Sequence, residues 1–89
     1  MVDFKGVNLK EANLKRANLV GADLIKANLK KAYFEGANLR EANLEEANLS
    51  EAHHLSFDLL SKVKTLHDAK LDEELLDSLR KEHARLFKR

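Results

Sequence analysis

At 89 residues the chain has room for one small domain, and without cysteine it has neither a disulfide framework nor a thiolate metal site to brace it. Sixteen Lys and Arg stand against fifteen Asp and Glu, a formal net charge of +1. That balance argues against a dedicated nucleic-acid binder, which carries a basic excess, and against an acidic mimic of nucleic acid.

In chain order, Met1-Val2-Asp3-Phe4-Lys5 starts no long apolar run, so neither a signal peptide nor a membrane span is expected and a cytoplasmic location is. From residue 2 to residue 51 the chain then reads in fives. Leu or Phe recurs at Phe4, Leu9, Leu14, Leu19 and Leu24, and again at Leu29, Phe34, Leu39, Leu44 and Leu49. Two residues before each lies Val2, Val7 or an Ala, and the residue between is Asn or Asp except at Tyr33.

A period of five suits neither regular structure. On an α-helix the apolar positions smear around the cylinder, and on a long strand successive Leu residues fall on opposite faces. Within one unit, however, Ala and Leu are two apart and share a face, as in a three-residue strand. The two following residues must then turn a corner so that the next pair faces the same interior. Asn and Asp suit the corners through side-chain bonds to nearby backbone. Gly6, Gly21 and Gly36 fall at the last position of their units, where unusual backbone angles are expected.

The repeated Ala-(Asp/Asn)-Leu-x-x, as in Ala12-Asn13-Leu14, Ala17-Asn18-Leu19 and Ala42-Asn43-Leu44, resembles the pentapeptide-repeat family. The resemblance implies an all-β solenoid, a right-handed quadrilateral β-helix of twenty-residue coils with the Leu/Phe and the preceding Ala inside. About two and a half to three coils are expected over residues 1–56, with the ten Leu and Phe positions named above as the structural core.

At Ala52-His53-His54-Leu55 the register slips by one. Ser56 is placed to cap a short helix through Phe57-Asp58-Leu59-Leu60-Ser61. Leu66 and Ala69-Lys70-Leu71 regain the spacing of five, which predicts a partial final coil. Asp72 is the expected N-cap of a second helix to about residue 84, with Leu75, Leu76, Leu79, His83 and Leu86 on one face. Residues 57–89 thus read as a helical cap, packed with the repeats as one domain and covering them with Leu75, Leu76 and Leu79. The run from Leu60 to Asp72 also resembles a tail common in bacterial members of the family.

The chemistry-bearing residues favour no enzyme. His53, His54, His67 and His83 lack zinc-ligand spacing, and Ser50, Ser56, Ser61 and Ser78 lack a nucleophile elbow. No Gly-rich phosphate loop is present either. No catalytic residue, cofactor, metal or small-molecule substrate is therefore expected. Residues 1–31 hold seven basic and three acidic side chains, whereas residues 32–56 hold only Arg40 against five acidic ones. This split, with Tyr33, Val20 and Ile25 as an outward patch, is compatible with docking an acidic partner or another copy through the N-terminal end.

The leading expectation is a non-catalytic scaffold or interaction module for a protein partner whose identity the sequence does not give. The family also implies an alternative, since some members imitate duplex DNA and bind gyrase. Short length and near-neutral charge disfavour it here. An isolated or engineered near-consensus module is a third reading.

Overall fold

The alternation that puts Ala and Leu on one side of each short extended stretch leaves the residue between them facing outward. That middle residue is where neighbouring stretches pair. The computed structural model describes residues 2–89. Parallel bridges join Asp3 to Asp23, Asn8 to Asn28, Asn13 to Tyr33 and Asn18 to Asn38, each pair twenty residues apart. Asp23 pairs in turn with Asn43, Asn28 with Asn48, and Tyr33 with His53. Each bridge uses both sides of the peptide. Leu9 N–H donates to the Asn28 carbonyl at 2.7 Å, and Asn28 N–H donates to the Val7 carbonyl at 3.0 Å. The result is a stack of twenty-residue tiers bonded along four columns.

Two devices turn the corners. Ala12 N–H donates to the Leu9 carbonyl at 3.0 Å, and the same bond recurs at Ala17, Ala22, Ala27 and Ala32. The third residue of each such turn has positive φ, 61° at Glu11, 60° at Arg16 and 68° at Gly21, the position where a type II turn requires it. Second, the outward Asn or Asp bends back on the chain: Asn8 Oδ1 accepts Lys10 N–H at 3.1 Å and Asp23 Oδ1 accepts Ile25 N–H at 3.1 Å. Tyr33 and His53 have no such acceptor and stack instead, ring centroids 4.1 Å apart and 6° from parallel.

The regular stacking changes after His53. Residue 58, where Asn38 would find its next partner, lies in the short helix α1, Phe57–Leu60, whose start is capped by Ser56 Oγ accepting Leu59 N–H at 3.0 Å. The detour inserts two residues, and the bridges resume as Asn43 to Thr65 and Asn48 to Lys70, now twenty-two apart. Thr65 takes over the role of Asn on that column, its Oγ1 accepting His67 N–H at 3.1 Å.

Helix α2 spans Glu73–Glu82, and a 3-10 turn follows over Ala84–Phe87. The helix is shorter than its sequence pattern predicts because the chain leaves helical geometry at His83, φ −139° and ψ 54°. Asp72 occupies the cap position, but its side chain makes no bond to the helix. Its carboxylate oxygens instead accept Glu51 N–H at 3.0 and 3.2 Å. At every corner from Gly6 to Glu46 except Gly36 that N–H is taken by a carbonyl of the next tier, as when Lys31 N–H donates to Ser50 at 3.1 Å. A side chain thus stands in where the next tier would have supplied backbone.

The interior is apolar throughout. Ala22, Leu24, Ala27, Leu29, Ala32 and Leu39 are fully buried, as are Leu44, Leu60, Leu66, Leu79 and Leu86, with Phe34 and Leu49 at 1% exposure. Leu19 is buried, while Phe4, Leu9 and Leu14, in the first tier, are only partly so. Leu75 and Leu76 pack partly buried against the same core. Leu66 N–H donates to the Leu86 carbonyl at 2.7 Å, which bonds the last tier to the C-terminal segment.

Candidate interaction surface

With the Leu and Ala of each unit turned inward, the three remaining positions are the ones offered to solvent. The middle residue lies in the wall and the other two form a corner. Because each tier repeats these positions, side chains from successive tiers form outward columns. Along one wall run Asn13, Tyr33 and His53. Lys15 Nζ lies 5.6 Å from the Tyr33 ring centroid and 3.6 Å from Glu35 Oε1. His54 Nε2 approaches the same Glu35 oxygen at 3.7 Å. Other inter-tier pairs are Lys30 with Glu51 at 3.8 Å and Arg89 with Glu45 at 3.2 Å. All involve exposed or half-exposed groups, so each contributes at most about 1 kcal/mol.

The histidines take separate places. His53 lies in the aromatic stack, and His54 sits at a turn with φ 56° rather than on an extended wall. His67 Nδ1 is 3.1 Å from the Phe87 carbonyl and its Nε2 is 3.2 Å from Asp68. His83 packs its ring 5.4 Å from that of Phe57. Among the described residues no three His, Asp or Glu side chains gather as metal ligands would.

The serines are engaged locally. Ser50 Oγ donates to Asn48 Oδ1 at 2.7 Å, Ser61 Oγ to the Asp58 carbonyl at 2.7 Å, and Ser78 Oγ to the Glu74 carbonyl at 3.2 Å. Of the three outward apolar candidates, Val20 and Tyr33 are exposed and Ile25 is partly buried. No helix among the described residues is long and apolar enough to cross a membrane. What sequence reasoning missed is the stack itself. The signal for it was the pair of aromatic rings twenty residues apart, each replacing an Asn at the same wall position.

Comparison with known proteins agrees with this geometry. The family described as pentapeptide repeats matches residues 3–40 and 17–53, with eight copies of the repeat. Among solved structures, a pentapeptide repeat protein (Rfr23) from the cyanobacterium Cyanothece 51142 is 32% identical, with a TM-score of 0.51 over 80% of this chain and 50% of that one. Trypsin-treated QnrB1, a plasmid-mediated fluoroquinolone resistance protein, is 19% identical, with a TM-score of 0.48 over 92% of this chain and 41% of that one. The chain therefore spans half or less of the length of these structures. None of the curated proteins searched matches it. The likeness to Rfr23 implies a right-handed quadrilateral β-helix. With more than half its residues under one repeat, and bridges that recur every twenty, this chain belongs to the pentapeptide-repeat family.

Proposed function

We propose that the chain is a non-catalytic protein-interaction module. On this reading residues 1–56 form about two and a half to three coils with the ten Leu and Phe positions as their core. Residues 57–89 pack on them in one domain, with Leu75, Leu76 and Leu79 as the cover of the last coil. The observation that carries the functional reading is the wall of Asn13, Tyr33 and His53 with its flanking Lys15, Glu35 and His54. A ladder fixes the spacing of these side chains, so a protein partner meets them preorganised and little ordering entropy is lost on docking.

The test is capture from a lysate of the source cells with the tagged full chain, read by mass spectrometry. The expected result is a stoichiometric protein partner that is lost when Tyr33, Glu35 and His54 are changed together to Ala, with the circular dichroism unchanged. Capture that is indifferent to those changes would move the function off this wall.

A further inference from the structure

At its C-terminal edge the ladder leaves two stretches of backbone without a next tier, Ala37-Asn38-Leu39 beside α1 and Ala52-His53-His54 beside α2, and the second lies next to an apolar groove that holds no Lys or Arg. At Ala52-His53-His54 the peptide groups facing the preceding tier are satisfied. His53 N–H donates to the Ala32 carbonyl at 2.8 Å, and Phe34 N–H donates to the His53 carbonyl at 3.0 Å. Trans peptides hold the C=O and the N–H of one unit on opposite sides, and no cis bond is present among the described residues. The Ala52 carbonyl and the His54 N–H therefore aim at the other side. On the two walls that precede it in the chain that side is covered: Lys64 N–H donates to Ala42 at 2.9 Å and Lys70 N–H to Ala47 at 2.8 Å. Over Ala52 the chain has already entered α2, and neither group has a partner among the described residues. Leu55 N–H is free as well, because His53 offers no Asx oxygen at the place where Asn48 serves Ser50 at 3.0 Å.

Beside this edge lies a groove of about 350 Å³ between the last regular tier and α2. Leu49, Ala52, Leu55 and Leu75 form its apolar lining, and Asp72, Glu74 and Ser78 are its polar residues. It contains two carboxylates and no Lys or Arg. We infer that this groove binds an extended, basic peptide segment of a partner protein by strand addition. The segment donates one backbone N–H to the Ala52 carbonyl and accepts the His54 N–H, as the next tier does elsewhere in the stack. An apolar side chain of the segment enters between Leu55 and Leu75, and flanking Lys or Arg side chains meet Asp72 and Glu74. Main-chain bonds supply affinity in this mode, and side-chain pockets and charge supply selectivity. The inference rests on the reading of the chain as an interaction module but names a different surface from the Tyr33 wall.

The experiment titrates the full-length protein, labelled for amide NMR, with the capped pentapeptide Lys-Val-Thr-Val-Lys. Saturable shifts confined to Ala52–Leu55 and the Leu75 turn of α2 are expected. Methylating the central amide nitrogen of the peptide, or replacing both Lys by Glu, should each weaken binding by about tenfold or more. Changing Glu74, exposed on α2, to Gln should weaken the basic peptide while the circular dichroism of the free protein keeps its folded form. Shifts that do not saturate by millimolar peptide overturn the inference, as does indifference to amide methylation. Shifts of the His54 and Leu55 amides on simple concentration, without peptide, identify a second copy as the occupant and overturn it equally. Shifts centred on Tyr33 would refute the groove and leave the wall reading standing.

Discussion

Positive φ at the corners is the main local strain in the ladder, borne by Gly6, Gly21 and Gly36 and by nine residues with side chains. A side chain in that conformation costs roughly 1–2 kcal/mol, whereas glycine adds unfolded-state entropy of about 0.4–1 kcal/mol. Glu41, at φ 61° and exposed, makes the comparison cleanly, since its N–H bond to the Lys62 carbonyl at 2.9 Å survives any substitution but Pro. Glu41→Gly should stabilise the protein by about 0.5–1 kcal/mol in urea denaturation. The reverse change should cost more at Gly36 than at Gly6. A Cβ at Gly36 meets Arg16 Cγ at 3.2 Å, whereas one at Gly6 meets nothing within 4 Å. Glycine at these positions was legible from its place in the unit. The role of Asp72 was not, because a residue that fits a helix N-cap in sequence is used by a backbone donor twenty-one positions away. Asp72→Ala should cost about 1 kcal/mol and Asp72→Asn about half of it, since the amide keeps one acceptor for Glu51; equal losses would mean that charge, not acceptance, is the contribution.

At the scale of elements, the repeat was readable because one physical requirement recurs in every unit: two inward side chains, one outward, then a corner. The register makes a sharp mutational contrast. Leu29 is fully buried, so Leu29→Ala should cost about 2–5 kcal/mol, while Lys10→Ala, exposed and outside any ion pair, should stay within about 0.5 kcal/mol. Similar shifts in the urea midpoint for both would refute the register. The departures were less legible. His54 stands where the repeat calls for Leu and takes φ 56° instead, so the fourth wall ends in α1 and the ladder resumes two residues late. Sequence marked the slip through Leu55 and the cap through Ser56, but bridging at Thr65 depends on how far α1 carries the chain, which is a tertiary matter. The same holds for the end of α2, where His83 packs against Phe57 and the backbone departs from the helix despite a continuing apolar stripe to Leu86.

Taken whole, the molecule distributes charge by tier. Residues 41–60 carry Glu41, Glu45, Glu46, Glu51 and Asp58 with no Lys or Arg, between stretches that hold all sixteen basic side chains. An acidic belt one tier deep does not make a duplex-like surface, so pure protein at micromolar concentration should leave gyrase supercoiling unaffected. Stoichiometric inhibition that disappears when Glu41, Glu45 and Glu46 become Lys would reinstate the DNA-mimic alternative. A stack of tiers exposes both apolar interior and unpaired backbone wherever it stops, and the proposal that the C-terminal segment covers one such end can be tested at this scale. Leu79 and Leu86 are fully buried, and the Leu86 carbonyl and the Asp72 carboxylate take up N–H groups of Leu66 and Glu51. Removing residues 72–89 should therefore uncover Leu66, Leu71 and two backbone donors at once. The truncated protein should self-associate in sedimentation while its β-type circular dichroism persists, because the bridges among residues 3–53 are untouched. Leu79→Lys should reproduce most of that behaviour in a chain of full length, by placing an unpaired charge in the core. The control has to be chosen with care: Arg80 lies 5.5 Å from the Phe87 ring centroid, so Lys81→Ala, exposed and unpaired, is the neutral comparison. A truncated chain that sediments as a monomer with unchanged thermal stability would show that the ladder ends safely by itself, and that α2 serves something other than cover.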